Sequence, residues 1–262
     1  MLRQRIITAL IALSVLGVIL YVLPTDIVRF LMALLILIGS WEWSGFCFRT
    51  KDSRRLIYVV FVGTFISILY IVLPDPLLLA TLFKAALGWW LLAMVWMFFF
   101  PTPVPKLVAW ACGLMVLVPT WAALDYLYVE STSSLVFALL IVWVADISAY
   151  FVGKGFGHFK LAPEISPGKT WEGVFGAITG VLFLSLISSQ LLDVDINVLV
   201  PLCLAATILS VIGDLTVSMF KRNAGIKDSG SFFPGHGGVL DRIDSVTATV
   251  PLIALALPWV GL

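Results

Sequence analysis

Charged side chains are scarce in this chain: 12% of its 262 residues, against roughly 25% in soluble globular domains. No polar stretch is long enough to fold by itself, which excludes a soluble module and a string of separate domains. Cysteine is nearly missing as well. Cys47, Cys112 and Cys203 lie far apart, in or beside apolar segments, so neither a disulfide framework nor a CxxC metal site can be drawn. They read as small buried apolar residues. Internal repeats and low-complexity tracts are absent. The opening "MLRQRIITALIALSVLGVILYVLP" has no small-x-small cleavage site after its apolar run, and further apolar segments follow directly. It reads as a first membrane helix and not as a signal peptide.

Apolar sequence is what the chain has in abundance, at 61% of residues. A membrane helix needs about 20 mostly apolar residues. Nine stretches qualify: 5–23, 27–47, 56–73, 77–100, 107–124, 134–153, 171–190, 196–220 and 240–260. Turn chemistry separates several of them, notably "LPTD" at 23–26, "PDP" at 74–76 and "PTPVP" at 101–105. The expected fold is an all-α polytopic integral membrane protein of about nine transmembrane helices. It forms one membrane domain over 1–262, with an amino-terminal helical half (1–130) and a second half (131–262). Helix ends are loose by a few residues. A re-entrant piece is the alternative around 77–100, where Lys84 interrupts the apolar run.

The net charge of +1 says nothing about partners, and no nucleic-acid partner is expected. Charge placement says more. Among the 16 lysines and arginines, only Arg29 and Lys84 fall near one side of the nine-helix arrangement. The rest share the other side: Arg3 and Arg5, then Arg49, Lys51, Arg54 and Arg55, then Lys106, then Lys154, Lys160 and Lys169, then Lys221, Arg222, Lys227 and Arg242. Such a bias puts the amino terminus and these connections in the cytoplasm.

Carboxylates inside membrane helices are costly and point to function by default. Asp146 in "VWVADISAY" and Asp214 in "VIGDLTVSMFKR" lie near the cytoplasmic ends of the sixth and eighth stretches, while Asp241 and Asp244 open the ninth. Four acids thus reach one membrane depth. Asp214, Ser218 and Lys221 share one helical face at i, i+4 and i+7, and Asp241, Asp244 and Ser245 share another. Two such faces can meet around a hard cation, because Mg²⁺ takes a few carboxylates plus water and substrate phosphates. Each acid also has a plainer reading. Asp241 and Asp244 can stabilise a helix amino terminus, Asp214 can pair with Lys221, and Asp146 can hydrogen-bond a neighbouring helix.

The polar connection between the last two stretches complements the acids. Lys221, Arg222 and Lys227 suit phosphates, and "PGHGG" at 234–238 lets backbone approach a ligand closely. A plain turn is the alternative for the glycines, and His236 is a weak candidate alone. The second polar patch, "GHFKLAPEISPGKTWEGVFG" at 157–176, contains "PGKT", which has the end of a phosphate-binding loop. Pro163 stands where that loop needs its first glycine, and no strand is expected before it, so a P-loop is rejected. Lys169 and Thr170, at the start of the seventh stretch, remain able to hold an anion by charge and backbone amides.

Taken together, Ser218, Lys221, Arg222, Lys227, Asp228, Gly230, Pro234, Gly235, His236, Gly237, Gly238, Asp241, Arg242 and Asp244 stand at spacings that resemble the signature of the phosphatidate cytidylyltransferases. "SPGKTWEG" is similar to that family's Ser-Pro-Lys-Lys-Thr-Trp-Glu-Gly, with Gly168 in place of the first lysine, which leaves Lys169 to carry more of that phosphate contact. "ADISAY" stands where the family has Asn-Asp-Thr-x-Ala-Tyr, keeping Asp146 and Tyr150. The detailed likeness covers the carboxy-terminal half; the first half agrees only as a run of membrane helices.

The resemblance implies a bacterial inner-membrane enzyme, active on the cytoplasmic side, that joins CTP to phosphatidate in the lipid bilayer. It implies Mg²⁺ held by Asp214, Asp241 and Asp244 in a dinuclear centre, with K⁺ as a candidate second ion. Lys221, Arg222, Lys227 and Arg242 would clamp phosphates, Ser218 would donate, and Asp146, Asp228, His236, Gly237, Gly238, Lys169 and Thr170 would complete the site. The second half is then the catalytic one. A homodimer is left open. Two rivals stand beside this reading: a CTP-using lipid kinase, and an ion-coupled transporter, which would set its acids nearer the bilayer midplane.

Overall fold

The computed structural model describes residues 13–48, 52–72, 75–230, 232 and 237–260. Among the expectations, Arg3, Arg5, Arg49, Lys51, Pro234, Gly235 and His236 lie outside the described residues, as does the stretch 5–12. The chain runs as α1 (Leu13–Val22), α2 (Thr25–Cys47), α3 (Asp52–Val72), α4 (Pro76–Met97), α5 (Lys106–Glu130) and α6 (Thr132–Phe156). A short hairpin, β1 (Lys160–Ala162) and β2 (Ser166–Thr170), then leads into α7 (Trp171–Leu192), α8 (Ile196–Asn223) and α9 (Leu240–Val260). Eight of these helices, α2 to α9, are long and apolar enough to cross a membrane. The protein is therefore an all-α polytopic membrane protein.

Two local differences from the sequence expectation, and the failure of one alternative, have physical reasons. The fifth stretch, expected to stop at 124, continues as α5 to Glu130. Asp125 looks like a terminator but is neutralised: Arg29 Nε and Nη2 donate to its two carboxylate oxygens at 2.7 and 2.8 Å. Around 77–100, where a re-entrant piece was the alternative, α4 is one continuous helix. Asp75 caps it by accepting from Leu77 N at 2.9 Å, Pro76 starts it, and Lys84 points outward. The other difference is a correction. A strand does precede "PGKT": β1 pairs antiparallel with β2, Lys160 opposite Thr170 and Ala162 opposite Ser166. The tripeptide Gly168-Lys169-Thr170 lies within β2 itself, so it forms no phosphate-wrapping loop and the P-loop stays rejected.

Packing fixes the helix ends that carry the acids. Trp43 on α2 donates its indole N–H to Ala109 O at 2.8 Å, and Tyr58 on α3 donates to Trp110 O at 3.2 Å, tying both helices to the start of α5. Gly113 lies under these rings: a Cβ there would run into Tyr58 Oη and the Trp43 indole. Gly113→Ala should lower stability by about 1–3 kcal/mol, the usual range for overpacking a filled core. Thermal unfolding of the purified protein in detergent measures this; an unchanged transition would mean that the rings yield freely. Near the acids, Gly213 lets α8 come close to α9, since a Cβ there would stand 2.7 Å from Asp244 O and 2.9 Å from Ala248 Cβ. Small residues permit such approach in membrane bundles. Asp214, the next residue, is thereby brought beside Asp244.

Candidate active site

Asp146, Asp214, Asp228, Asp241 and Asp244 line one polar cavity of about 460 Å³, together with Lys221, Arg242 and Ser245. The sequence expectation that acids from the sixth, eighth and ninth stretches converge is met by this geometry. Asp214 pairs with Lys169 (Oδ2 to Nζ, 2.6 Å), not with Lys221, so that alternative pairing is corrected. Ser218, one turn along α8, donates to Asp214 Oδ1 at 3.3 Å. Lys221 reaches instead to Asp241, Nζ to Oδ1, at 2.7 Å.

Asp241 is the most heavily engaged of the acids. Besides Lys221, its Oδ2 accepts from the backbone N–H groups of Ser229 and Gly238, both at 2.9 Å. It therefore ties the polar connection to the start of α9. Gly237 has a φ of 83°, in the left-handed region that favours glycine, and a Cβ there would stand 2.7 Å from Asp241 Oδ2. Asp244 is buried, and its Oδ1 accepts from Ser245 N at 2.8 Å. Asp146 interacts with Ser245 across the α6–α9 contact, consistent with its plainer hydrogen-bonding reading.

The remaining expected residues are spread more widely. Thr170 is buried and caps α7, accepting from Gly173 N at 3.2 Å. Its hydroxyl is thus committed to the helix start. Arg222 points toward the hairpin, with Nε donating to Ile165 O at 3.0 Å and Nη1 to Ile226 O at 3.3 Å. Lys227 and Arg242 are exposed. Sequence reasoning missed Glu42 on α2, a buried carboxylate that holds the far side of the same connection. Its signal was present: an acid inside the apolar segment "GSWEWSGF".

A second cavity adjoins the first. It has a volume of about 490 Å³ and runs between α6, α7 and α8, lined mainly by apolar residues such as Ala149, Val174, Ala177 and Val211. Tyr150, which is 53% exposed, is among the residues that line it. Asp146 and Asp214 line both cavities, and Lys169 lines the apolar one. A polar compartment and an apolar cleft thus meet at two carboxylates and a lysine.

The donor set bears on metal binding. The polar cavity presents five carboxylates against Lys221 and Arg242. That excess of hard oxygen suits a divalent cation that keeps water and phosphate ligands. Among the described residues no three acids converge into a ready-made ligand shell, and Asp214 and Asp241 each contact a lysine. The donor chemistry is of the kind Mg²⁺ takes, although the carboxylates alone form no complete shell among the described residues.

Fold and site define an all-α polytopic membrane protein in which an acid-rich polar cavity and a mainly apolar cleft share Asp146 and Asp214. Comparison with known proteins gives the family. The model of the cytidylyltransferase family matches residues 3–259. The chain is 38% identical over 268 residues to the phosphatidate cytidylyltransferase of Pseudomonas aeruginosa, covering 99% of this chain and 97% of that one. It is 34% identical over 281 residues to that of Haemophilus influenzae, covering 97% and 98%. The Staphylococcus epidermidis enzyme of the same name matches at 41% over 145 residues, covering 52% and 55%. The chain belongs to the cytidylyltransferase family.

Proposed function

We propose that the protein transfers the cytidylyl group of CTP to phosphatidate, giving CDP-diacylglycerol and pyrophosphate for phospholipid synthesis. The observation that carries this reading is the junction of the two cavities: an acid-rich polar compartment and an apolar cleft sharing Asp146 and Asp214. The first suits the triphosphate of a nucleoside triphosphate once a cation offsets the acids. A phospholipid fits the second, with its phosphate at the shared end. The relatives' names agree with this pairing of substrates.

The chemistry needs little activation. The phosphate monoester of phosphatidate is largely ionised near neutral pH, its second pKa being about 6. One of its oxygens attacks the α-phosphorus of CTP, the α–β phosphoanhydride bond breaks, and pyrophosphate leaves. The barrier lies in bringing two polyanions together and stabilising charge on the leaving group. Lys169 extends from the hairpin at the lipid end, and Lys221 stands within the polar compartment; each would exchange part of its carboxylate contact for phosphate. Lys227 on the connection and Arg242 at the start of α9 would bind phosphates, Arg222 at the end of α8 would do so only by exchanging a carbonyl contact, and Ser218 would donate from α8. Asp214, Asp241 and Asp244 would hold Mg²⁺, with K⁺ as a candidate second ion, and the positive charge supplied there would lower the repulsion between the substrates.

The basic residues on the connections near this site support its lying on the cytoplasmic side of a bacterial inner membrane. Purified protein in mixed micelles with CTP, Mg²⁺ and phosphatidate should produce CDP-diacylglycerol, and chelation of Mg²⁺ should stop it. Absence of lipid-bound cytidine under these conditions would refute the assignment.

A further inference from the structure

Glu42 is placed on α2, far in sequence from every other residue discussed at the site. Its side chain is buried, 4% exposed, yet it lines neither cavity. Both of its oxygens are engaged. Oε1 accepts from Val239 N at 3.0 Å; Oε2 accepts from Leu240 N at 2.8 Å and from Ser229 Oγ at 2.9 Å. Leu240 is the first residue of α9, and Val239 precedes it with no side chain able to cap. A helix start leaves backbone N–H groups without partners and carries partial positive charge. Here a carboxylate from another helix supplies the cap.

Two features show that the arrangement is tight. A Cβ on Gly230 would stand 2.5 Å from Glu42 Oε1, and one on Gly238 would collide with both Glu42 oxygens and with Ser229 Oγ. The platform beneath is also firm: Ser40, Trp43 and Ser44 are buried, and Trp43 is bonded to Ala109. Glu42 and Asp241 divide the same strip of chain between them. Ser229 gives its N–H to Asp241 and its hydroxyl to Glu42; Gly238 N goes to Asp241, and the next two N–H groups go to Glu42.

We propose that Glu42 is a positioning residue for cytidylyl transfer: it sets the start of α9, and so aims Asp241 and Asp244 into the polar cavity. This rests on the function proposed above. A residue of this kind touches neither substrate nor ion, but its loss loosens the groups that do. Outer partners of metal-binding side chains typically cost about 10–100-fold in affinity or activity when removed. Glu42→Gln keeps the volume but turns one acceptor into a donor facing N–H groups.

The test uses the full-length protein in detergent, with two readouts. One is thermal stabilisation by Mg²⁺ alone; the other is steady-state turnover. Glu42→Gln should raise the Mg²⁺ midpoint and lower kcat by about tenfold or more. KM for phosphatidate should stay within about twofold, since Glu42 does not line the apolar cleft. A purely structural anchor would lower the unfolding temperature and leave both the Mg²⁺ midpoint and the kcat of folded protein unchanged; that result overturns the proposal. If Glu42→Gln cannot be recovered folded, Ser229→Ala deletes one of the three bonds and should shift the midpoint about tenfold in the same direction, the lower end of the range for a lost outer partner. An unshifted Ser229→Ala midpoint, or a wild type indifferent to Mg²⁺, equally overturns the role. A wild type stabilised by Mg²⁺ that transfers no cytidylyl group refutes the function instead, and the Mg²⁺ midpoints then decide on Glu42.

Discussion

Asp241→Asn should lower turnover by about a hundredfold or more, the scale of losing one strong electrostatic contact in a site that excludes water. In the wild type, Oδ1 meets Lys221 and Oδ2 takes two backbone N–H groups. An asparagine can face its oxygen to only one of these sets. If the oxygen serves Ser229 and Gly238, the amide N–H₂ confronts the Lys221 ammonium, whose residue is 7% exposed and has lost its counter-charge. If the oxygen serves Lys221, two buried N–H groups lose their acceptor. Either outcome removes the negative charge proposed to help hold a hard cation, so excess Mg²⁺ should restore activity only in part. Turnover measured on protein that elutes as the wild type does in size-exclusion chromatography decides the matter. A fully active variant would leave Asp241 as no more than a carboxylate at a helix start.

Asp214→Asn should bring a loss of similar size, about a hundredfold, for a different reason. Asp214 is held on α8 where Gly213 allows close packing on α9, and it lines both cavities. Its amide analogue keeps the acceptor for Ser218 Oγ, so the helix face survives, but the ion pair with Lys169 at 2.6 Å does not. The lysine is then free to bind phosphate without Asp214 to hold it. KM for phosphatidate should therefore change little or fall, while kcat collapses. A rise in KM with kcat unchanged would mean that Asp214 only shapes the lipid cleft.

The apolar stretches and the acids near their ends were legible because the membrane imposes both signals: about 20 apolar residues per crossing, and a high cost for any charge placed inside. Asp146, Asp214, Asp241 and Asp244 stood out for the second reason, and they do share a cavity. Their partners were less legible. Spacing along α8 suggested Asp214 with Lys221, but Lys169 enters from a hairpin whose strand "SPGKT" has no strand-like pattern. Arg222 looked like a free phosphate ligand and is turned to backbone carbonyls of the hairpin and its own connection. Glu42 carried the same signal as the other acids, yet its bonds reach across 187 to 198 residues, a relation that no local spacing encodes. Asp125 was hidden likewise by Arg29, 96 residues away.

The central claim is that an oxygen of the lipid phosphate attacks the α-phosphorus of CTP. Parallel reactions with CTP labelled at the α- or at the γ-phosphorus test it directly. The account predicts α-label in the lipid extract as CDP-diacylglycerol, with γ-label in pyrophosphate and none in lipid. Label from the γ-position in lipid, with CDP released and no cytidine on the lipid, would contradict it and make the protein a lipid kinase.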